Sequence, residues 1–318
     1  MTEQQTERTR VVVDDVIIPG PVPLAATVRL PVGLRVPGPA LVLTGPFTGV
    51  KEQVTGTYAD ALAAEGFVTL AFDHRNFGAS GGSPRQHEDS AGKLEDLRYA
   101  TSYLAARDEV DADRLGSVGV CLGGGYALRH AAFDPRIKAV AMVAAAFNSP
   151  QAMRDGMGAQ HYRDLMATFA DVEQSEFESG EVDLIPVVSA DGGDVAMPGR
   201  EPFEYYGTTR GQADGWHNQV TRLSIRSLLT LDAALGADFL AATPGLVVHG
   251  RVDDYCSPDA AQAIFERLTG PKDLVWLDTS SHIDLYDDPD LVGQAVAAVR
   301  DWLVRHLLAQ APSAPAVT

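Results

Sequence analysis

The chain of 318 residues contains only two cysteines, Cys121 and Cys256. So few thiols argue against a structural disulfide, and the hydrophilic start MTEQQTERTR has neither the basic nor the apolar region of a secretory signal, so a reducing cytoplasm is the expected location. Positive charge is scarce as well: 25 Lys and Arg face 43 Asp and Glu, for a formal net charge of −18 and a pI near 4.7. Such a surface repels phosphate backbones and anionic bilayers, which argues against a nucleic-acid or membrane partner. No apolar run approaches the ~20 residues that a membrane helix needs. Internal repeats, metal-ligand spacings and cofactor fingerprints are missing too, so neither a metal nor a cofactor is expected. The partner that remains is a small-molecule substrate, and a homodimer is compatible with all of this.

What is present is a strand-helix rhythm. Arg10–Pro19 and Leu24–Pro31, joined by Gly20-Pro21, predict an antiparallel hairpin at one sheet edge. Ala40–Thr44, Phe67–Phe72, Leu115–Val120, Ile137–Ala145, Leu246–His249 and Leu274–Leu277 read as buried strands. Helical patterns at Lys51–Glu65, Lys93–Ala106, Pro258–Leu268 and Pro289–Leu308 alternate with them. The fold class is therefore α/β: a mostly parallel sheet covered on both faces, with ligands at the carboxyl ends of its strands. From 148 to 240 the alternation stops, and this stretch is expected to be a cap inserted between core segments 1–147 and 241–308. Residues 309–318 are rich in Ala, Pro and Ser and are expected to be a disordered tail.

The most informative stretch is Gly119-Val120-Cys121-Leu122-Gly123, where an apolar alternating run passes directly into a helical pattern. This is a nucleophile elbow with cysteine where serine usually sits. The turn is so tight that only glycine fits two residues before and after the nucleophile, and the helix behind it favours a thiolate and an oxyanion. Gly78-Ala79-Ser80-Gly81-Gly82 satisfies the same pattern with serine, but it runs into Ser83-Pro84 instead of a helix, so it reads as a structural turn. A thiolate nucleophile needs an imidazole, and the imidazole a carboxylate. Of eight histidines, His282 stands in the loop after the last strand, where a base is delivered to this cleft; His74 and His249 are weaker placements. Asp253 lies in the loop after the penultimate strand, with Asp254 as its neighbouring rival and Asp284 as a candidate turn former. Cys256 shares that loop, which leaves a place near the cleft open to it, but it has no elbow and reads rather as a semi-buried spectator.

An oxyanion hole needs two donors. The Leu122 N–H is one. Thr44-Gly45-Pro46-Phe47-Thr48 should supply the other, and because Pro46 has no N–H the donor is Phe47 or, failing that, Thr48, with the Phe47 ring in the acyl pocket. In the cap, Phe203, Tyr205, Tyr206 and Trp216, with Glu204, are expected to wall the substrate cleft, since such pockets are largely apolar and aromatic.

These residues, together with Phe72–Gly82, Asp134–Ala139 and His282–Asp287, resemble the α/β-hydrolase fold, and more narrowly its dienelactone-hydrolase-like branch with the bacterial YcjY-type proteins. The likeness spans roughly 10–150 and 240–308. It implies a Cys121–His282–Asp253 triad that hydrolyses an ester, lactone or thioester through an acyl-cysteine. Two departures stand out: Thr44-Gly45-Pro46 replaces the commoner His-Gly-aromatic segment, and the cap is larger than in compact dienelactone hydrolases. An acyltransferase or cyclase using the same site in natural-product biosynthesis is the first alternative, and a non-catalytic binding protein on the same scaffold is the second.

Overall fold

The computed structural model describes residues 10–308, so the expected tail at 309–318 lies outside the described residues. Strands β1 (Val11–Ile18) and β2 (Leu24–Pro31) form the antiparallel hairpin, in a register that pairs Val11 with Pro31. β3 (Gly38–Thr44), α1 (Val54–Ala64), β4 (Val68–Phe72), α2 (Ser90–Ala105), β5 (Val110–Val120), α3 (Leu122–Phe133) and β6 (Ile137–Val143) follow in alternation. After a long insertion, β9 (Gly245–Gly250), α9 (Pro258–Arg267), β10 (Lys272–Leu277), α10 (Asp284–Asp287) and α11 (Pro289–Leu303) complete it, β7 and β8 belonging to the insertion. The eight-stranded sheet has the order β1-β2-β4-β3-β5-β6-β9-β10. β2 pairs antiparallel with β4, and from β4 to β10 every pairing is parallel. Every residue of β3, β4 and β9 is buried, as expected of strands covered by helices on both faces.

Element boundaries differ from expectation where polar groups intervene. α1 starts at Val54, because Asp73 Oδ1 accepts the Lys51 N–H at 2.8 Å and Gln53 Oε1 accepts the Val50 N–H at 3.0 Å, which holds 51–53 as a turn. α2 starts at Ser90, with Asp89 as an N-cap that accepts the Gly92 N–H at 2.9 Å. β5 begins at Val110; its polar first half pairs with β3 only at Gly38, across a register shift.

The 148–240 segment is more regular than its composition suggests. It contains α4 (Pro150–Met157), the 21-residue α5 (Ala159–Ser179), β7 (Leu184–Ile185), α6 (Arg200–Tyr206), β8 (Val220–Thr221), α7 (Leu223–Thr230) and α8 (Gly236–Phe239). A satellite core of Phe169, Leu223 and Leu229, with Met153, Met157, Leu165 and Met166 against it, joins α4, α5 and α7. The segment is tied to the core by the Arg210–Asp287 ion pair at 2.6 Å and by Gln53 Nε2, which donates to Gly211 O at 2.6 Å. Among the described residues no helix is long and apolar enough to cross a membrane.

Candidate active site

β5 ends at Val120, and α3 begins two residues later at Leu122, so the chain must reverse around Cys121 alone. It does so with φ 56° and ψ −127° at Cys121, a left-handed conformation that costs a non-glycine residue on the order of 1–3 kcal/mol and recurs at functional turns. The flanking glycines are required sterically. A Cβ on Gly119 would come within 2.1 Å of the Gly123 carbonyl oxygen, and one on Gly123 within 2.3 Å of the Thr44 carbonyl oxygen. Cys121 is partly exposed and lines a small, narrow cavity.

The loops after β9 and β10 deliver the partners. His282 Nδ1 donates to Asp253 Oδ2 at 2.7 Å, and both side chains are buried. Asp253 Oδ1 accepts the backbone N–H groups of Tyr255 at 2.9 Å and Cys256 at 2.6 Å, so the carboxylate also organises its own loop. Asp254 is exposed. Asp284 accepts from the Ser280 and Ser281 N–H groups at 2.7 and 3.0 Å, acting as a turn former for the histidine loop. On its other side, His282 Nε2 lies 3.1 Å from the Tyr286 hydroxyl. The sulfurs of Cys121 and Cys256 and a ring nitrogen of His282 all lie within 4.8 Å of one another.

Charge is shared across this group. A hydrogen bond from Cys256 is the largest influence on Cys121; with the positive charge of His282 it outweighs burial and holds the Cys121 thiol well below its ordinary range. Cys256 moves the other way: the bond to Cys121 keeps its proton on, and burial adds to this. Burial opposes a charged His282, but the Cys121 thiolate and the Asp253 carboxylate prevail and raise its pKa to about 10. Each of the two charges thus favours the other: a thiolate at Cys121 raises His282, and a protonated His282 lowers Cys121.

Leu122 opens α3, so its N–H has no intrahelical acceptor, and it donates to no backbone carbonyl among the described residues. The Phe47 N–H donates to no backbone carbonyl among the described residues. The Phe47 ring, expected in the acyl pocket, packs into the hydrophobic core, and Pro46 lines the cavity in its stead. Of the four cap aromatics singled out from sequence, Tyr206 lines the cavity. Trp216 stacks on Tyr206 from behind at 5.3 Å, and its indole N–H donates to Thr48 Oγ1 at 3.3 Å. Tyr205 packs edge-on between Tyr206 and Tyr286, Phe203 packs against the core, and Glu204 pairs with Arg200 on the surface. The remaining wall is Met197, Glu201, Pro202, Tyr255, Ile283 and Tyr286, which sequence reasoning did not single out. For Tyr286 a signal existed: four residues after His282, it falls on the same face of a helical turn.

The other polar candidates have structural partners. Ser80 Oγ donates to Asp73 O at 2.5 Å and accepts the Ala25 N–H at 2.8 Å, which fixes it inside the turn. His74 bridges Thr44 Oγ1 at 2.8 Å and Asp96 at 3.3 Å, bracing the end of β3. His249 Nδ1 bonds to its own strand end at Gly250 O, and its Nε2 lies 3.9 Å from Asp253.

The elbow thus follows β5, the acid β9 and the histidine β10, and the family described as "Serine aminopeptidase, S33" (Hydrolase_4) matches residues 48–290. The chain belongs to this α/β-hydrolase family. It is 32% identical to the uncharacterized protein YcjY of Escherichia coli, over 84% of this chain and 89% of that one. It is 28% identical to the thiohydrolase aneE of Aspergillus aculeatus, over 96% of this chain and 95% of that one. The crystal structure of the hypothetical protein PA2218 from Pseudomonas aeruginosa superposes with a TM-score of 0.83 at 27% identity, covering 96% of this chain and 98% of that one. An α/β-hydrolase of this kin is an enzyme of hydrolysis or acyl transfer.

Proposed function

We propose that this protein is a cysteine-dependent acyl hydrolase of the dienelactone-hydrolase-like branch, cleaving an ester, lactone or thioester of a small organic molecule. The observation that carries this is the elbow sulfur, Cys121, placed immediately before α3 and within 4.8 Å of a ring nitrogen of His282, which is itself held by Asp253 at 2.7 Å. The Cys121 thiolate attacks the carbonyl carbon, and the carbonyl electron pair moves onto oxygen, which accepts from the Leu122 and Phe47 N–H groups. Collapse of the adduct breaks the bond to the leaving group, which takes the His282 Nε2 proton, and leaves an acyl-cysteine. Neutral His282 then removes a proton from water, whose oxygen attacks the thioester. Collapse releases the carboxylic acid and restores the thiolate-imidazolium pair. Asp253 holds Nδ1–H throughout, fixing the ring and favouring its charged form.

A thiolate is itself a good leaving group, which favours substrates whose own leaving group is good, such as enol esters, lactones and thioesters, over amides. The relative named a thiohydrolase is in keeping with it. The 148–240 segment serves as a cap: Met197, Glu201, Pro202 and Tyr206 roof the sulfur and set which acyl groups enter.

That roof also favours a second reading, transfer of the acyl group to an acceptor other than water, because a narrow apolar chamber admits little solvent. Turnover of a panel of activated esters and thioesters in ¹⁸O-labelled water tests both. Label in the acid product supports hydrolysis, an unlabelled acylated or cyclised product supports transfer, and no turnover with no acyl-Cys121 adduct by mass spectrometry overturns both.

A further inference from the structure

The two cysteines come from the end of β5 and the loop after β9, yet they meet beside a histidine from the loop after β10. Among the described residues, this is the only group of three or more His, Cys, Asp or Glu donors close enough to hold a metal ion. We propose that Cys121, Cys256 and His282 form a binding site for one thiophilic divalent cation of the zinc class, and that its occupancy blocks the active site.

Zinc in a tetrahedral site bonds sulfur at about 2.3 Å and imidazole nitrogen at about 2.0–2.1 Å, which places its ligand atoms roughly 3.5–3.8 Å apart. Three donor atoms already within 4.8 Å of one another reach that spacing by side-chain rotations. A disulfide between the same sulfurs would demand a far larger approach, to about 2.05 Å. His282 is pre-set for the purpose. Its Nδ1–H is engaged by Asp253 at 2.7 Å, the carboxylate-histidine pairing that orients imidazole in metal sites, and Nε2 is left as the donor. To bind, it exchanges the Tyr286 hydroxyl for the ion. Two sulfurs and one nitrogen select zinc-like or softer ions over magnesium and calcium, and the fourth position opens on the cavity for water. The ion takes both sulfurs as thiolates and Nε2 without its proton, so binding releases the protons these atoms carry. Because the same sulfur and nitrogen are wanted for acyl transfer, metal and acyl group exclude each other.

The test reads ligand-to-metal absorption and stands independently of turnover. The full chain, kept reduced and shown to retain both free thiols, is titrated with Co²⁺ as a spectroscopic substitute. Expected are a thiolate-to-cobalt band in the near ultraviolet and the visible bands of tetrahedral cobalt, saturating at one equivalent and abolished by added Zn²⁺. Cys256→Ala should remove the tetrahedral bands, and Asp253→Asn, which leaves all three ligands, should weaken binding by about 10–100-fold. Circular dichroism confirms that each variant is folded, and Cys256→Ser gives a second variant should the alanine form fail to fold. Absence of a thiolate band in the parent protein, or binding that Cys256→Ala and Cys256→Ser leave unchanged, overturns the proposal; so does weak binding of many equivalents, as expected of the acidic surface alone.

Discussion

The backbone N–H of Cys256 donates to Asp253 Oδ1 at 2.6 Å, while the other oxygen of the same carboxylate holds His282. One aspartate therefore sets both the tautomer of the histidine and the position of the second sulfur. Asp253→Asn should lower kcat by about 10²–10⁴-fold, the range of a general base that loses its orientation. Steady-state rates on an activated thioester check it, and an unchanged kcat would remove Asp253 from the mechanism.

Cys121→Ala should reduce turnover by about 10⁴-fold or more, with Cys121→Ser retaining a small residue. Rates in the alanine variant equal to those of the parent would falsify the nucleophile assignment.

Iodoacetamide should modify Cys121 far faster than Cys256 near neutral pH. The Cys121 pKa is lowered, chiefly by the Cys256 hydrogen bond, so its thiolate forms at lower pH than an ordinary thiol's and is lost as pH falls through the depressed value. Cys256 is raised by the same bond and stays protonated. Cys256→Ala removes that hydrogen bond and should move the Cys121 alkylation profile to higher pH. Peptide mapping of alkylated protein across pH measures this, and equal rates at the two cysteines would contradict it.

Gly119→Ala places a methyl group 2.1 Å from the Gly123 carbonyl oxygen, where only backbone can move. The cost should be about 3 kcal/mol or more. Urea unfolding should show a midpoint well below that of the parent; an unshifted midpoint would mean that the elbow is looser than described.

Lys93 and Glu88 form a fully buried ion pair at 2.7 Å, and the Tyr126 hydroxyl of α3 donates to the other oxygen of Glu88 at 2.6 Å. Lys93→Met strands the carboxylate and should destabilise by about 3–5 kcal/mol. Adding Glu88→Gln should recover part of that loss in denaturant titrations. Losses that simply add would show that the two groups do not interact.

Much of the fold was legible because its strands are buried on both faces and read as short apolar runs, as β3, β4 and β6 do. The boundary errors have one origin. At 51–53, at 89–90 and at 110–114 the backbone is satisfied by side chains or by a distant strand, and local hydrophobic period carries no trace of such partners. In the insertion, α5 buries only Phe169 of its 21 residues, so its apolar stripe is faint in the sequence although the helix is long.

The elbow at Gly119–Gly123 is a local steric matter, and the sequence alone therefore determined which cysteine sits at the strained turn and why glycines flank it. Asp253 and His282 could be nominated by their order along the chain, since each follows a parallel strand. What only the tertiary structure decided is which side chains share the cavity with that sulfur: Tyr206 but not Tyr205, Pro46 in place of Phe47, and Cys256 as a neighbour of Cys121. Those outcomes depend on how separate loops stack over the ends of the sheet, and the distances between such loops are set by packing across the whole domain, to which residue spacing along the chain is blind.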